Sequence, residues 1–564
     1  MLAELPVARS VATRAVFFGT ACITAAIVWW AKTLEFSHAA TRLSPIFAYL
    51  FTNLDYVGAA WELLIVLAAA CVPERFPVRS FLGWIGRNPW PVAGAVCIML
   101  GFGALLVYRN HAPTMDEFAP LFQSEVFAAG HLAGQFPPAL VDWLIPSEHQ
   151  KQFLLASHAT GRVASAYWPS FALLLTPFTF LGIPWACNPV LSALTLVAIH
   201  RLALRIFADQ ETAGLAVLLT VASPVFFANG ISYYSMPAHL LANCVFALLL
   251  IDPTPRRALA AGVVGSVALT LHNPLPHMLF ALPWILATSR RQNAASLIGC
   301  LVAGYTPLCL LLGVGWFGFA GGLPHEGASA AIAGAAPQGG LARIGSAFSF
   351  PDSSILLARL VGLAKIWVWA VPGMLILALV GAWKWRHDPT CRTLIAAAVA
   401  TLAGFLLVPV DQGHGWGFRY FHSVWMVLPL LAAGALARAP VNMQPNNPPL
   451  RTYLVACALL TLTLGWGLRA VQIRDFISSD LQHTPAYAGT EHRVIIINPA
   501  SRSLEPVPND PWLRGDIIRM VGQGPRSDAA VMHQYFPGLS LVYTDRYGSV
   551  WSAAAPAGIT SRPR

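Results

Sequence analysis

The chain has 564 residues, of which 56% are hydrophobic and only 11% charged, and its formal net charge is +10. Soluble domains carry about a quarter charged residues, so a chain of this length with mean hydropathy +0.60 has too little polar surface to face water. Disorder, a secreted disulfide scaffold and a cytosolic enzyme are excluded; a polytopic membrane protein remains.

A pI near 9.3 does not point to nucleic acid, because no basic stripe with interleaved aromatics is present. The Arg and Lys residues fall mostly in short loops between apolar runs, where they encode orientation in a bilayer. Eight of the nine cysteines (Cys22, Cys71, Cys97, Cys187, Cys244, Cys300, Cys309 and Cys457) lie in or beside apolar runs, and no CxxC occurs. They read as small core residues, with neither a disulfide framework nor a zinc site. No cleavage pattern precedes the first apolar run, which is expected to be a retained helix.

A membrane core of about 30 Å needs roughly 20 apolar residues per helix. In chain order, apolar runs predict spans near 15–31, 57–72, 91–107, 166–200, 212–228, 236–252, 258–272, 275–288, 295–317, 356–381, 393–410, 421–437 and 452–470. The run 166–200 is broken by Gly182, Pro184 and Pro189. Counted as one crossing, it leaves Arg75, Arg79, Arg87, Arg201, Arg205, Arg256, Arg257, Arg290, Arg291, Lys384, Arg386, Arg392, Arg438 and Arg451 on one side with the N-terminus. Counted as two, it inverts every later loop and spoils that bias. The expectation is therefore an all-α polytopic membrane protein of about 13 transmembrane helices, with 14 as the alternative. The N-terminus is expected in the cytoplasm and the C-terminus outside, and Arg-over-Lys, Ala-rich usage points to a bacterial inner membrane.

On the outer side lie loops 108–165 and 318–355, the short segment 411–420, and a tail 471–564. The tail changes composition: Val494–Ile497 and Leu541–Thr544 read as strands, and Asn509-Asp510-Pro511 as a turn. A membrane domain 1–470 and a small periplasmic α/β domain 471–564 follow from this.

The most informative stretch is Thr114-Met115-Asp116-Glu117-Phe118, directly after the third run. Carboxylates next to hydrocarbon are costly and tend to be functional. The apolar pattern of Phe118, Leu121, Phe122, Val126 and Phe127 suits a helix lying along the interface. The other reading is a helix N-terminus whose acids favour the dipole. Further along come Ser165-Ala166-Tyr167-Trp168-Pro169, Ser223-Pro224, and Gly417-Phe418-Arg419-Tyr420 in the last outer segment.

In their order and shared outer location, these four elements resemble the GT-C superfamily of integral-membrane glycosyltransferases, with the mannosyltransferase-like and aminoarabinose-transferase-like members closest in pattern. The resemblance covers roughly 90–440. The chain departs from the pattern in having two apolar runs before the one that leads into the acidic loop, and His272-Asn273-Pro274 where an Arg-Pro pair is common. The resemblance implies a GT-C-like fold and a sugar donor carried on polyprenyl phosphate.

Transfer from such a donor needs a base for the acceptor hydroxyl, a cation for the leaving phosphate and a groove for the lipid. Asp116 is the candidate base and Glu117 a second carboxylate or positioning group. Arg419, alone in a glycine-rich outer loop, is the candidate phosphate partner, with Arg162 and Lys151 behind it. Tyr167, Trp168, Trp416 and Tyr420 are candidates for stacking on sugar, and His239, His277 and His414 for binding substrate. Together with His158 and His272 these histidines leave a divalent metal open, although no HExxH-type spacing appears. His325 and Glu326 are expected in a lid or acceptor-facing loop. The expected partners are a polyprenyl-phosphate-linked sugar, a lipid, glycan or protein acceptor, and the bilayer, with no nucleic acid. A transporter or flippase is the competing reading; it predicts charges in helix centres and inverted repeats, whereas the apolar runs show few charges and no repeated half. A non-catalytic assembly scaffold is the third reading.

Overall fold

The computed structural model describes residues 10–72, 77–150, 152–326, 350–437, 448–485, 492–501 and 507–553. The backbone divides into two compact units. The first comprises Met1–Val107, Asn188–Cys309 and Pro337–Ile473; the second comprises Tyr108–Cys187, Leu310–Ala336 and Arg474–Arg564.

The first unit is helical. Its opening helix, Val11–Glu35, is N-capped by Ser10, whose hydroxyl accepts from the Thr13 amide at 3.4 Å. At 1.5 Å per residue its 25 residues span about 37 Å, enough for a bilayer. Large apolar side chains such as Phe18 and Trp29 remain exposed along it, as a lipid-facing surface requires. Among the described residues, seven helices are long and apolar enough to cross a membrane, and an eighth if the pair Gln210–Ala222 and Pro224–Gly230, bent by 64°, is one span. Five further apolar helices among them are shorter: Ser170–Phe180, Met236–Ile251, Leu275–Thr288, Met374–Lys384 and Val427–Leu436. The chain is a multi-pass membrane protein, but helix length does not support thirteen full crossings.

Two expected spans are divided. The run 166–200 becomes helices Ser170–Phe180 and Cys187–Phe207, separated at Leu181–Ala186 where Pro184 cannot continue the first helix. The run 356–381 becomes Ser353–Val368 and Met374–Lys384, with Gly373 at φ 83 between them. Two other spans are longer than their apolar cores. The second begins at Pro45 and contains a π-helical turn over Leu50–Asp55, and the last continues to Leu481. Asp55 and Arg469 therefore lie inside spans rather than at their ends.

Helices pack through small residues where a bilayer supplies no hydrophobic drive between them. Pro255–Leu269 meets Ala294–Leu308 at backbone contact: a Cβ on Gly262 would fall 2.1 Å from the Leu301 carbonyl oxygen.

The second unit holds two sheets. Residues 134–135, 162–165 and 154–156 form an antiparallel sheet with the 162–165 strand in the middle, an element the sequence did not announce. Near the C-terminus, strands 517–521, 493–497, 548–552 and 540–545 lie side by side in that order. The first pair is parallel and the others antiparallel. The central Arg493–Ile497 strand is apolar and buried from Val494 onward because both faces are covered. Ile495, Ile497, Val542 and Val550 form the cluster on one of them. Both strands expected from sequence in the tail are present, and Asn509-Asp510-Pro511 is a turn in which Asp510 accepts from the Trp512 and Gly515 amides. The first strand of this sheet begins at Arg493, after the helix that ends at Leu481.

Candidate active site

Thr114, with extended backbone, is the N-cap of the helix Met115–Ala128, which places Asp116 and Glu117 in its first turn, where carboxylates complement the dipole. The chain reaches Thr114 through a tight turn in which Arg109 and Asn110 are both left-handed, at φ 57 and 50. That conformation is unusual for non-glycine residues. It is held from the last long helix: Arg109 donates to the Ser478 hydroxyl at 3.3 Å, and His111 Nε2 lies 2.7 Å from an Asp480 oxygen.

Adjacent positions on a helix point about 100° apart, and the two acids are housed differently. Glu117 is fully buried. One of its oxygens accepts from the Tyr108 hydroxyl at 2.8 Å and the other from the Thr114 hydroxyl at 3.1 Å. Asp116 is half-buried, and its Oδ1 accepts from the Tyr167 hydroxyl. Two motifs far apart in sequence, the acidic turn and the aromatic segment ahead of helix Ser170–Phe180, are thereby joined.

Several contacts fix Tyr167. Its carbonyl accepts from Trp316 Nε1 at 2.8 Å, and its ring meets Phe153 edge-on at 6.1 Å. The strand before it is tied to the acidic helix through buried Gln123, which accepts from the Ser165 amide at 2.9 Å and donates to the Leu132 carbonyl at 3.0 Å. The hairpin leading into that strand turns at Gly161, with φ 76 and a Cβ position 1.9 Å from the Phe136 carbonyl oxygen, so only glycine fits. Trp168 is half-buried beside Tyr167.

Arg162 is ion-paired with Glu326 at 2.7 Å and lies 5.3 Å from the Phe319 ring centroid. Burial opposes ionisation of Glu326, yet hydrogen bonds from Thr160 and Ser157 and the Arg162 charge hold its carboxyl below the usual range. Leu323–His325 is a short 3₁₀ turn, so the end of this segment is structured; the remainder of 318–355 up to Ser349 lies outside the described residues, as does Lys151. Glu125, on the acidic helix, is pushed up to about 7 by burial and by the nearby Asp510 carboxylate.

In the first unit, His414–Gly415 pairs with Gly417–Phe418 as a small hairpin. It leads into Arg419, whose amide donates to the Gly413 carbonyl at 2.7 Å and whose guanidinium donates to the Gln412 carbonyl at 2.6 Å. The same guanidinium sits 4.9 Å from the Tyr234 ring centroid. Trp416 is buried, and its carbonyl accepts from Asn229. His414 lies 3.2 Å from Asp411. Tyr420 stacks on Phe405 at 4.1 Å, faces the Arg359 guanidinium, and donates to the Val410 carbonyl at 3.1 Å. His277 is held by Asn243 and Tyr305, at 2.7 Å each. His239 is buried in the first turn of helix Met236–Ile251. Among the described residues, no group of three or more His, Cys, Asp or Glu side chains is arranged to hold a metal ion.

Sequence reasoning missed a buried charge cluster in this unit. Asp55 accepts from Lys365 at 2.6 Å and from Trp369 Nε1 at 2.6 Å, and Arg469 lies 3.3 Å from it. Arg469 also stands over the Trp369 ring at 4.0 Å. The expectation of few helix-centre charges is thus corrected; the signal was Asp55, just ahead of the run 57–72, and Arg469, at the very end of the run 452–470. Arg359 was missed as a cap: it donates to the carbonyls of Phe405, Val408 and Val410 around the C-terminal end of helix Pro389–Leu406, where a cation also suits the dipole.

The sequence matches no protein-family model and no curated protein. The structure is similar to two crystal structures of ArnT from Cupriavidus metallidurans. With the protein bound to undecaprenyl phosphate, the TM-score is 0.48 at 13% identity, covering 84% of this chain and 98% of that one. With the apo protein, the TM-score is 0.51 at 14% identity, again covering 84% of this chain and 98% of the other. The fold of this chain is thus ArnT-like, the GT-C-like membrane architecture that its motifs led us to expect.

Proposed function

We propose that this chain is a membrane glycosyltransferase of GT-C type. It moves a sugar from a polyprenyl-phosphate donor to a lipid, glycan or protein acceptor on the outer face of a bacterial inner membrane. The observation that carries this reading is the Asp116–Tyr167 hydrogen bond, which gives a half-exposed carboxylate a fixed orientation at the start of a helix. The ArnT-like fold supports the same class.

In the proposed reaction Asp116 takes the proton of the acceptor hydroxyl. That oxygen bonds to the anomeric carbon, the bond from this carbon to the phosphate oxygen breaks, and polyprenyl phosphate leaves. A single displacement inverts the anomeric configuration. Tyr167 orients the base, and Trp168 offers a face to sugar. Glu117, closed off by Tyr108 and Thr114, is a positioning residue that holds the first turn. Arg419 binds the donor phosphate; its anchored backbone and its contact with Tyr234 support a fixed guanidinium. Arg162, already paired with Glu326, braces the segment that carries Trp316 and Phe319.

Buried charges inside apolar helices favour transport, the Asp55–Lys365–Arg469 cluster most of all. Each of these charges faces an opposite charge within 3.3 Å, the pattern of an internal brace. The test is transfer from purified polyprenyl-phosphate sugar donors by the full-length chain in nanodiscs. The proposal expects product only with the protein present, inverted configuration, and a raised donor KM with Arg419→Gln. Movement of intact glycolipid across the bilayer without sugar transfer would establish the transport reading instead.

A further inference from the structure

Helix Val78–Arg87 crosses the start of helix Gln210–Ala222 at backbone contact in the first unit: a Cβ on Gly86 would fall 2.1 Å from the Gln210 carbonyl oxygen. Beside the crossing opens a groove of about 510 Å³, lined by Arg79, Ser80, Gly83, Arg87, Asp209 and Glu211. Its formal charges balance, but they are not equally engaged. Asp209 caps the second helix, accepting from the amide and hydroxyl of Thr212, and Glu211 is paired with Arg451. Arg79 and Arg87 have no hydrogen-bond or ion-pair partner among the described residues.

Side chains on a helix lean toward its N-terminus, and Arg87 does so over Gly83. Its guanidinium nitrogen lies 3.3 Å from where a Cβ on that glycine would stand. The missing side chain makes the floor of the groove and brings the Arg87 head one turn closer to Arg79. Both guanidinia thus line one polar hollow whose acids are already matched, and a guanidinium fork fits phosphate oxygens. Trp84 and Trp90 nearby in sequence are 52% and 56% exposed, as aromatic residues at a headgroup layer are. Loop charge assigns this end of the helices to the cytoplasmic side, where anionic lipids add about 1 kcal/mol of attraction per arginine.

We propose that this groove binds a phosphate group through Arg79 and Arg87, two residues the proposed transfer reaction does not use. The flanking tryptophans favour a phospholipid headgroup over free phosphate as the source. The full-length chain in detergent would be titrated with phosphatidylglycerol and read by native mass spectrometry, and in parallel with inorganic phosphate and read by thermal shift. Arg79→Gln/Arg87→Gln is expected to weaken phosphatidylglycerol binding about 25-fold, about fivefold per arginine. Arg256→Gln/Arg257→Gln, which removes the same charge from another loop of that side, is expected to leave it within about twofold. Ser80→Glu puts a carboxylate into the groove at an exposed position and keeps both arginines; it should abolish binding and serves if the double variant does not fold. A response to inorganic phosphate alone, lost in the same variants, upholds the phosphate site and makes its source soluble. If wild type binds neither probe, or binding survives in both groove variants, or falls equally with Arg256→Gln/Arg257→Gln, the proposal is wrong.

Discussion

Replacing Asp116 by Asn and, separately, Glu117 by Gln removes one negative charge from each of two side chains that are neighbours in sequence and unlike in surroundings. Glu117 is buried and receives hydroxyl hydrogens on both oxygens. An amide keeps one acceptor and turns a donor toward the other hydroxyl, so a buried hydrogen bond to a charged group is lost, at a cost of about 1.5–3 kcal/mol. Asp116→Asn keeps an oxygen for the Tyr167 hydroxyl and forfeits chiefly its favourable place at the helix N-terminus, about 0.3–1 kcal/mol. Its effect on rate should be far larger, because loss of a general base lowers turnover about 10²–10⁴-fold, or roughly 3–5 kcal/mol of barrier. The assay pairs initial rates of sugar transfer with thermal unfolding of the same detergent-purified samples. Asp116→Asn should be nearly inactive at close to wild-type stability, and Glu117→Gln should be the less stable of the two while keeping more of the rate. The opposite pattern, an active Asp116→Asn beside a stable and inactive Glu117→Gln, would refute the assignment of roles.

Three further outcomes follow from particular contacts. Lys365→Met removes one of the two cations on buried Asp55, leaving it Arg469 and the Trp369 indole N–H, and should destabilise the chain by about 1.5–3 kcal/mol, the worth of a buried hydrogen bond to a charged group, seen as a lower unfolding temperature. Glu125 has a folded-state pKa raised to about 7 by burial and Asp510, so the stability tied to its neutral form is complete below about pH 4.3 and disappears as pH rises through about 7. Glu125→Gln should therefore unfold at a higher temperature than wild type above pH 7, and the difference should shrink steadily toward pH 4.5. Gly161→Ala would drive a methyl group into the Phe136 carbonyl at a positive φ; it should lower stability by more than about 1 kcal/mol and reduce transfer by disturbing the strand that leads into Tyr167.

Much of the architecture was legible because bilayer physics writes it plainly: long apolar runs became helices, and the strands of the tail announced themselves as Val494–Ile497 and Leu541–Thr544. What the sequence obscured were the interruptions. Polar residues inside a span are hidden from a hydropathy reading when ion pairing makes their burial tolerable, which is why Asp55 fell outside the run 57–72 and Arg469 stood at the end of the run 452–470. The small sheet of 134–135, 154–156 and 162–165 was invisible because strands of two to four residues carry no readable alternation. In the candidate active site, Asp116, Glu117 and Tyr167 stood out by type and position, but their pairing did not. That Tyr167 meets Asp116 through its hydroxyl, and that Tyr108 closes off Glu117, depends on a fold bringing residues 9 and 51 positions apart together. His277 and Tyr420 were legible only as polar or aromatic residues on the outer side; the bonds of His277 to Asn243 and Tyr305 come from other helices, and the stack of Tyr420 on Phe405 and its bond to Val410 come from the chain folding back on itself after helix Pro389–Leu406.

The central claim is that Asp116 is the base of a polyprenyl-phosphate-dependent sugar transfer. The most direct measurement is mass spectrometry of lipid-linked and envelope glycans from cells lacking the protein, complemented with wild type or with Asp116→Asn at equal membrane levels. The account predicts that one sugar disappears, that wild type restores it, that Asp116→Asn does not, and that the sugar-charged polyprenyl phosphate is unchanged or accumulates. Restoration of the sugar by Asp116→Asn, or a glycan profile that no condition alters, would contradict it.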